Sequence, residues 1–93
     1  MKYRSRTEIV SNILDAANGR EATKTKIMYE AFLSYEQLKE YLSVLIDNNL
    51  IEYSNGTQKF KTTDKGLNYI KTYRESRELL QQQTTAIKND LLT

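Results

Sequence analysis

The chain has no cysteine, no histidine and no proline, and only 3 glycines in 93 residues. Without cysteine there are no disulfides or thiolate metal sites, and without histidine there is no imidazole for metal binding or for acid–base chemistry near neutral pH. That fits a reducing compartment. Long apolar runs are also missing, since none approaches the roughly 20 residues that cross a bilayer, and the amino terminus carries Lys2, Arg4, Arg6 and Glu8. A soluble, cytoplasmic protein with no transit peptide and no membrane partner is expected. Nor is there an excess of one charge: 14 basic and 12 acidic side chains leave +2. The part up to Lys65 holds 10 basic and 9 acidic groups, so neither half is a basic tail. Any contact with nucleic acid therefore depends on where charges are placed. No activated nucleophile, acid–base pair or phosphate loop is visible, and the lysines and carboxylates are spread over faces expected to be exposed. This argues against an enzyme, a cofactor or a small-molecule ligand.

What the chain does contain is a series of helix starts and stops. Ser5 and Glu8 have the capping-box spacing, and Ile9, Ile13, Ala16 and Ala17, widened by Val10 and Leu14, recur at helical spacing until Asn18 and Gly19 end the first helix. Thr23 can cap a second helix with Ile27, Met28 and Ala31 facing inward, and Phe32 and Leu33 bridge to the next element. Ser34 and Gln37 repeat the capping box before a third helix, whose apolar face is Leu38, Tyr41, Leu42, Leu45 and Ile46 and whose end falls near Asn48 and Asn49. Ile51 and Tyr53 then alternate with polar residues, Asn55-Gly56 is a strong hairpin signal, and Lys59, Phe60 and Lys61 alternate on the return. With Asn55 and Gly56 as a two-residue loop, Glu52 faces Lys59 and Ile51 faces Phe60, with Ile51, Tyr53 and Phe60 on one face. Two helices joined by a tight turn and followed by a hairpin form a unit that can carry its second helix into the DNA major groove.

Thr63 can cap a last helix that meets no glycine after Gly66. Ile70, Tyr73, Arg77, Leu80, Thr84, Ile87 and Leu91 follow the alternating four-and-three spacing of a coiled-coil seam, with Arg77 and Thr84 as its polar positions. A continuous helix from Asp64 to Leu91 would be about 42 Å long at roughly 1.5 Å per residue, more than the small domain it leaves. Its far half needs a partner, and a second copy of the chain is the simplest one. The chain thus divides into residues 1–63 and a dimerisation helix at 64–93, forming a single structural unit. An apolar fraction of 39% leaves a core small enough to benefit from such burial.

The segments TKTKIMYEA, LSYEQLKEYL, LIDNNLIEY and TTDKGLNYI resemble the small archaeal winged-helix proteins. The segment Leu33 to Leu42 carries the most specific part of the likeness, which extends from about Ser11 into the terminal helix. The resemblance implies a mostly α fold with a small β-hairpin, namely a winged helix-turn-helix followed by a long helix that pairs in an antiparallel coiled coil. It also implies a homodimer that binds double-stranded DNA as a transcriptional regulator or a chromatin-associated, nucleoid-located architectural protein.

Under that reading Tyr35, Gln37 and Lys39, on the first turns of the third helix, face the groove with a hydroxyl, an amide fork and a cation. The plainer reading is that Gln37 only completes the cap and Tyr35 packs on the turn. Glu36 and Glu40 share this face and repel phosphate. Lys24 and Lys26 begin the second helix, where backbone donors also favour phosphate, or they form a solvated face. Lys59 and Lys61 flank the wing, although Lys59 can instead pair with Glu52. Arg4, with Arg6, makes a short basic arm that either reaches DNA or is disordered. Tyr41, Tyr53 and Tyr69 are read as core or subcore aromatics. The competing function is a protein-interaction module without DNA contact, favoured by the near-neutral charge and the two glutamates.

Overall fold

A computed structural model describes residues 4–92, with side-chain surroundings through Leu79. The elements run α1 (Arg6–Ala16), α2 (Lys24–Glu30), α3 (Tyr35–Asp47), β1 (Ile51–Ser54), β2 (Lys59–Thr62) and α4 (Asp64–Leu92). Each helix start has a hydroxyl cap that satisfies an otherwise unpaired amide of the first turn, a contribution of about 1 kcal/mol apiece. Ser5 Oγ accepts from the Glu8 amide at 3.1 Å, Thr23 Oγ1 from Lys26 at 3.2 Å, and Thr63 Oγ1 from Gly66 at 3.1 Å. At α3 the capping box is complete: Ser34 Oγ accepts from the Gln37 amide at 3.2 Å, and Gln37 Oε1 accepts from the Ser34 amide at 3.0 Å. The Ser5–Glu8 pair forms the serine half of that motif.

Helices α2 and α3 end in the same way. In α2 the Leu33 amide donates to Met28 O and the Phe32 amide to Tyr29 O; in α3 Leu50 donates to Leu45 O and Asn49 to Ile46 O. Both are Schellman ends, with a left-handed residue at Phe32 (φ 54°) and Asn49 (φ 61°). Leu33 is buried, which draws the chain into the core immediately before α3 begins.

The core lies where α1, α2, α3, the hairpin and the start of α4 converge. Ile13, Leu14, Ile27, Leu38, Leu45 and Ile51 are fully buried at its centre, with Leu42, Phe60 and Ile70 closing it. Ile46, expected on the inward face of α3, is 38% exposed and lies at that face's edge. Tyr41 and Tyr69 are partly buried against the core, whereas Tyr53 is 42% exposed and stacks obliquely on Phe60 with centroids 4.8 Å apart.

Ile70, placed by its heptad spacing at the start of an intermolecular seam, is instead 2% exposed within its own domain and belongs to the core cluster. A heptad pattern records that a position is apolar without recording which chain covers it. Tyr73 is half-buried, Arg77 is exposed, and Arg74 holds α4 to α1 through its contacts to Asp15 at 2.7 and 2.9 Å. The expected seam positions Leu80, Thr84, Ile87 and Leu91 have side chains outside the described residues.

The hairpin also differs from expectation. Its register is Ile51↔Thr62, Glu52↔Lys61, Tyr53↔Phe60 and Ser54↔Lys59, so Glu52 faces Lys61 and not Lys59. The loop is Asn55 to Gln58, closed by the Gln58 amide donating to Ser54 O at 2.7 Å, with Gln58 and not Gly56 left-handed. The register moves by two residues, which changes every partner but leaves each side chain on its expected face. Outside the hairpin fixes the choice. Phe60 exchanges two 2.8 Å backbone hydrogen bonds with Ala22, a bridge without a sequence signal, and Thr62 donates from its hydroxyl to Leu14 O at 2.7 Å.

Candidate nucleic-acid interface

The turn between α2 and α3 is fixed from three sides. The Schellman bonds close it from within, the buried Leu33 anchors it below, and Arg4 reaches across from the amino terminus. The Arg4 guanidinium donates to Ala31 O and, at 2.9 Å, to Phe32 O. Carbonyls at a helix end lack intrahelical donors and carry the negative end of the helix dipole, so a cation placed there is stabilising. Arg4 was expected to be a DNA-contacting arm or a disordered one. In the structure it is a clamp on α2, because the exposed carbonyls at the end of that helix give the guanidinium two acceptors on its own chain.

The clamp leaves the first turns of α3 presented to solvent. Tyr35, Glu36, Gln37, Lys39 and Glu40 are all exposed. Lys24 Nζ lies 5.4 Å from the centroid of the Tyr35 ring, a cation–π distance that ties the start of α2 to the start of α3. Lys26 is within 3.9 Å of Glu30, an exposed i,i+4 pair worth less than about 0.5 kcal/mol. The two ion pairs among the described residues are this one and Arg74–Asp15, so Lys24, Lys39, Lys59 and Lys61 are without a carboxylate partner there. Gln37 spends its amide oxygen on the cap, which leaves its NH₂ group available. Both readings of that residue are therefore compatible in one conformation.

On the wing, Lys59 and Lys61 point to the exposed face of the hairpin. In this register Glu52 lies across from Lys61, and Lys59 lies across from Ser54. At the wing tip the Thr57 hydroxyl donates to Glu21 Oε2 at 3.1 Å, which places a carboxylate beside the loop. Of the residues singled out in the sequence, Lys24 and Tyr35 are brought together across the α2–α3 turn, Gln37 and Lys39 follow on the exposed first turns of α3, Lys26 faces Glu30, and Lys59 and Lys61 lie on the exposed face of the wing. Tyr29 and Phe32, exposed by 71% and 83%, were not anticipated. The sequence assigns neither ring a face; Phe32 lies at the left-handed stop of α2.

An open groove of about 300 Å³ runs between α1 and α3, lined by Arg6, Val10, Glu40, Tyr41, Val44 and Leu45. Among the described residues no cluster of acidic side chains could hold a metal ion, and no helix is long and apolar enough to cross a membrane.

Comparison with known proteins places this architecture. Two uncharacterized proteins of Methanocaldococcus jannaschii are 36% and 35% identical over 63 residues, 68% of this chain in each case. The chain spans only 29% and 63% of the lengths of these curated relatives. Among solved structures, Sso10a-2, a DNA-binding protein from Sulfolobus solfataricus, superposes with a TM-score of 0.75 over 92% of each chain at 21% identity. The M. tuberculosis transcriptional regulator MosR gives 0.63 at 17% identity, covering 89% of this chain and 62% of that one. Lactococcus lactis ZitR gives 0.60 at 18% identity, covering 98% and 77%. At these identities the structural likenesses establish the fold, which is mostly helical with a two-stranded antiparallel hairpin. The sequence match is more specific, since the family model for the winged helix-turn-helix covers residues 3–81. On that match, the chain belongs to the winged helix-turn-helix family.

Proposed function

We propose that the chain binds double-stranded DNA as a homodimer and acts as a cytoplasmic, nucleoid-associated transcriptional regulator or architectural protein. The observation that carries this reading is the presentation of the first turns of α3. They are held outward by the Arg4 clamp and the Schellman turn, with Tyr35 and Lys39 exposed and Lys24 poised over the Tyr35 ring. That is the part of a helix-turn-helix that enters the major groove, and Lys59 and Lys61 supply cations on a second element for the adjacent backbone. Lys24 and Lys26 serve as phosphate contacts at the start of α2. Sso10a-2 is a DNA-binding protein and MosR a transcriptional regulator, and their likeness in fold supports the reading.

The modest net charge means that one copy binds weakly. Two copies joined through α4 add their contacts, and the seam at Tyr73, Arg77, Leu80, Thr84, Ile87 and Leu91 supplies the join. Ile70 contributes by fixing α4 to its own domain.

Fluorescence anisotropy of the full chain on a duplex, titrated with salt, tests the proposal. Affinity should fall as salt rises, with a slope equivalent to about 4 to 8 phosphates per dimer. Absence of duplex binding at low salt would sink it. A protein-interaction module is the second reading, favoured by Glu36 and Glu40 on the exposed face of α3. Genome-wide occupancy then separates a regulator, with few sharp peaks, from an architectural protein with broad coverage.

A further inference from the structure

Phe32 combines two locally unfavourable features. Its backbone is left-handed, with φ 54°, and its ring is 83% exposed. Left-handed helix stops are normally glycine or asparagine, because a bulky side chain meets its own carbonyl there. The end of α3 follows that rule, with Asn49 at φ 61°. Since Asn49 completes the same pair of Schellman hydrogen bonds that Phe32 does, the turn itself does not require a phenyl ring. An exposed ring also gains little from the core. Folding therefore leaves the ring unexplained, and backbone strain of this kind is characteristic of contact sites.

The surroundings indicate the contact. Tyr29 precedes Phe32 by three residues and Tyr35 follows it by three, both mostly exposed, and Lys24 stands over the Tyr35 ring without a carboxylate partner among the described residues. Glu30, the nearest acid in sequence on α2, is engaged by Lys26; Glu36 is exposed on α3. Exposed aromatic rings on either side of one turn, with a cation over one of them, suit a polyanion that also displays apolar groups. In the major groove of a duplex, that apolar group is the thymine 5-methyl.

We infer that Phe32, flanked by Tyr35, is an apolar contact for a thymine 5-methyl group and biases binding toward thymine-bearing sites. The inference rests on the duplex-binding reading above. Phe32→Asn tests it, because asparagine retains the left-handed stop already used at Asn49. Its melting temperature should equal or exceed that of the unsubstituted chain. Anisotropy is then measured on a thymine-rich duplex and on the same duplex with dU in place of dT. The unsubstituted chain should lose roughly 4-fold in affinity for each methyl that a Phe32 ring covers, the worth of about one buried methyl group. Phe32→Asn should bind both duplexes equally, at the level of the unsubstituted chain on dU. If the unsubstituted chain binds dT and dU duplexes alike, the thymine contact is overturned while the duplex reading stands. The same conclusion follows if Phe32→Asn still discriminates between them, or weakens equally on both. Failure of the unsubstituted chain to bind any duplex overturns both.

Discussion

Arg4 shows how one side chain near the end of a chain can set the geometry of a surface far away in sequence. Its guanidinium bonds the Ala31 and Phe32 carbonyls, the last acceptors of α2 and the first of the turn that aims α3. Removing it leaves those carbonyls to water and withdraws a favourable charge from the helix end, a loss of about 1 kcal/mol for a partly exposed site. Arg4→Ala should therefore melt lower by roughly 4 to 8 °C and leave the salt slope of duplex binding unchanged. An Arg4→Ala protein of full stability with a shallower slope would show instead that Arg4 is a phosphate contact. Gln37 requires similar care, because Gln37→Ala removes half of the α3 capping box together with any base contact. Lys39→Ala is the cleaner probe of the groove, as Lys39 is exposed and takes no part in the cap.

At the level of elements, the orientation of α3 depends on how its far end meets α4. Thr63 donates from its amide to Leu50 O at 3.1 Å and from its hydroxyl to Asn49 O at 2.6 Å, while Lys65 Nζ donates to Asn48 O at 2.8 Å. These bonds satisfy the carbonyls at the α3 stop with the first turn of α4. Gly66 permits the close approach: a Cβ there would lie 2.2 Å from Leu50 O and 2.6 Å from Thr62 Cγ2. Because the nearest obstacle is the Leu50 backbone, Gly66→Ala must separate α4 from the end of α3, at a cost of about 2 to 3 kcal/mol. Denaturant unfolding of Gly66→Ala checks this, and a stability equal to that of the unsubstituted chain would show that the junction yields freely. Little of this junction was legible in the sequence. The caps at Ser5, Thr23, Ser34 and Thr63 were legible, because a cap joins a residue to one three positions on. The hairpin register was not, because a two-residue shift preserves both faces and the deciding bridge comes from Ala22.

For the whole molecule, α4 is the element that the proposed dimer uses. Ile70 and Arg74 hold its first turns to α1 and the core, and by Leu79 the side chain is 56% exposed. A seam continuing through Leu80, Ile87 and Leu91 predicts that the full chain sediments as a dimer at micromolar concentration. Replacing Leu80 and Ile87 with aspartate should yield a folded monomer with a weaker duplex affinity, since the paired contacts are lost. A monomeric unsubstituted chain at high micromolar concentration removes the dimer from the proposal. Strand direction has its own test. Leu91→Cys places the only thiol in the chain, and rapid disulfide formation within a dimer requires the close approach of a parallel pair.

The sequence by itself determined the order of elements, the helix starts, and which positions of α1, α3 and the hairpin are apolar, because these depend on contacts within a few residues or on simple periodicity. Tertiary structure decided three matters that such patterns leave open. It assigned Ile70 to its own core, since burial depends on which surface covers a position and not on the heptad. It drew Arg4 onto α2, since a flexible cation pairs with the nearest unsatisfied acceptors. And it set Phe32 at the left-handed stop of α2 with its ring exposed, where the sequence marks only a bridge between two helices.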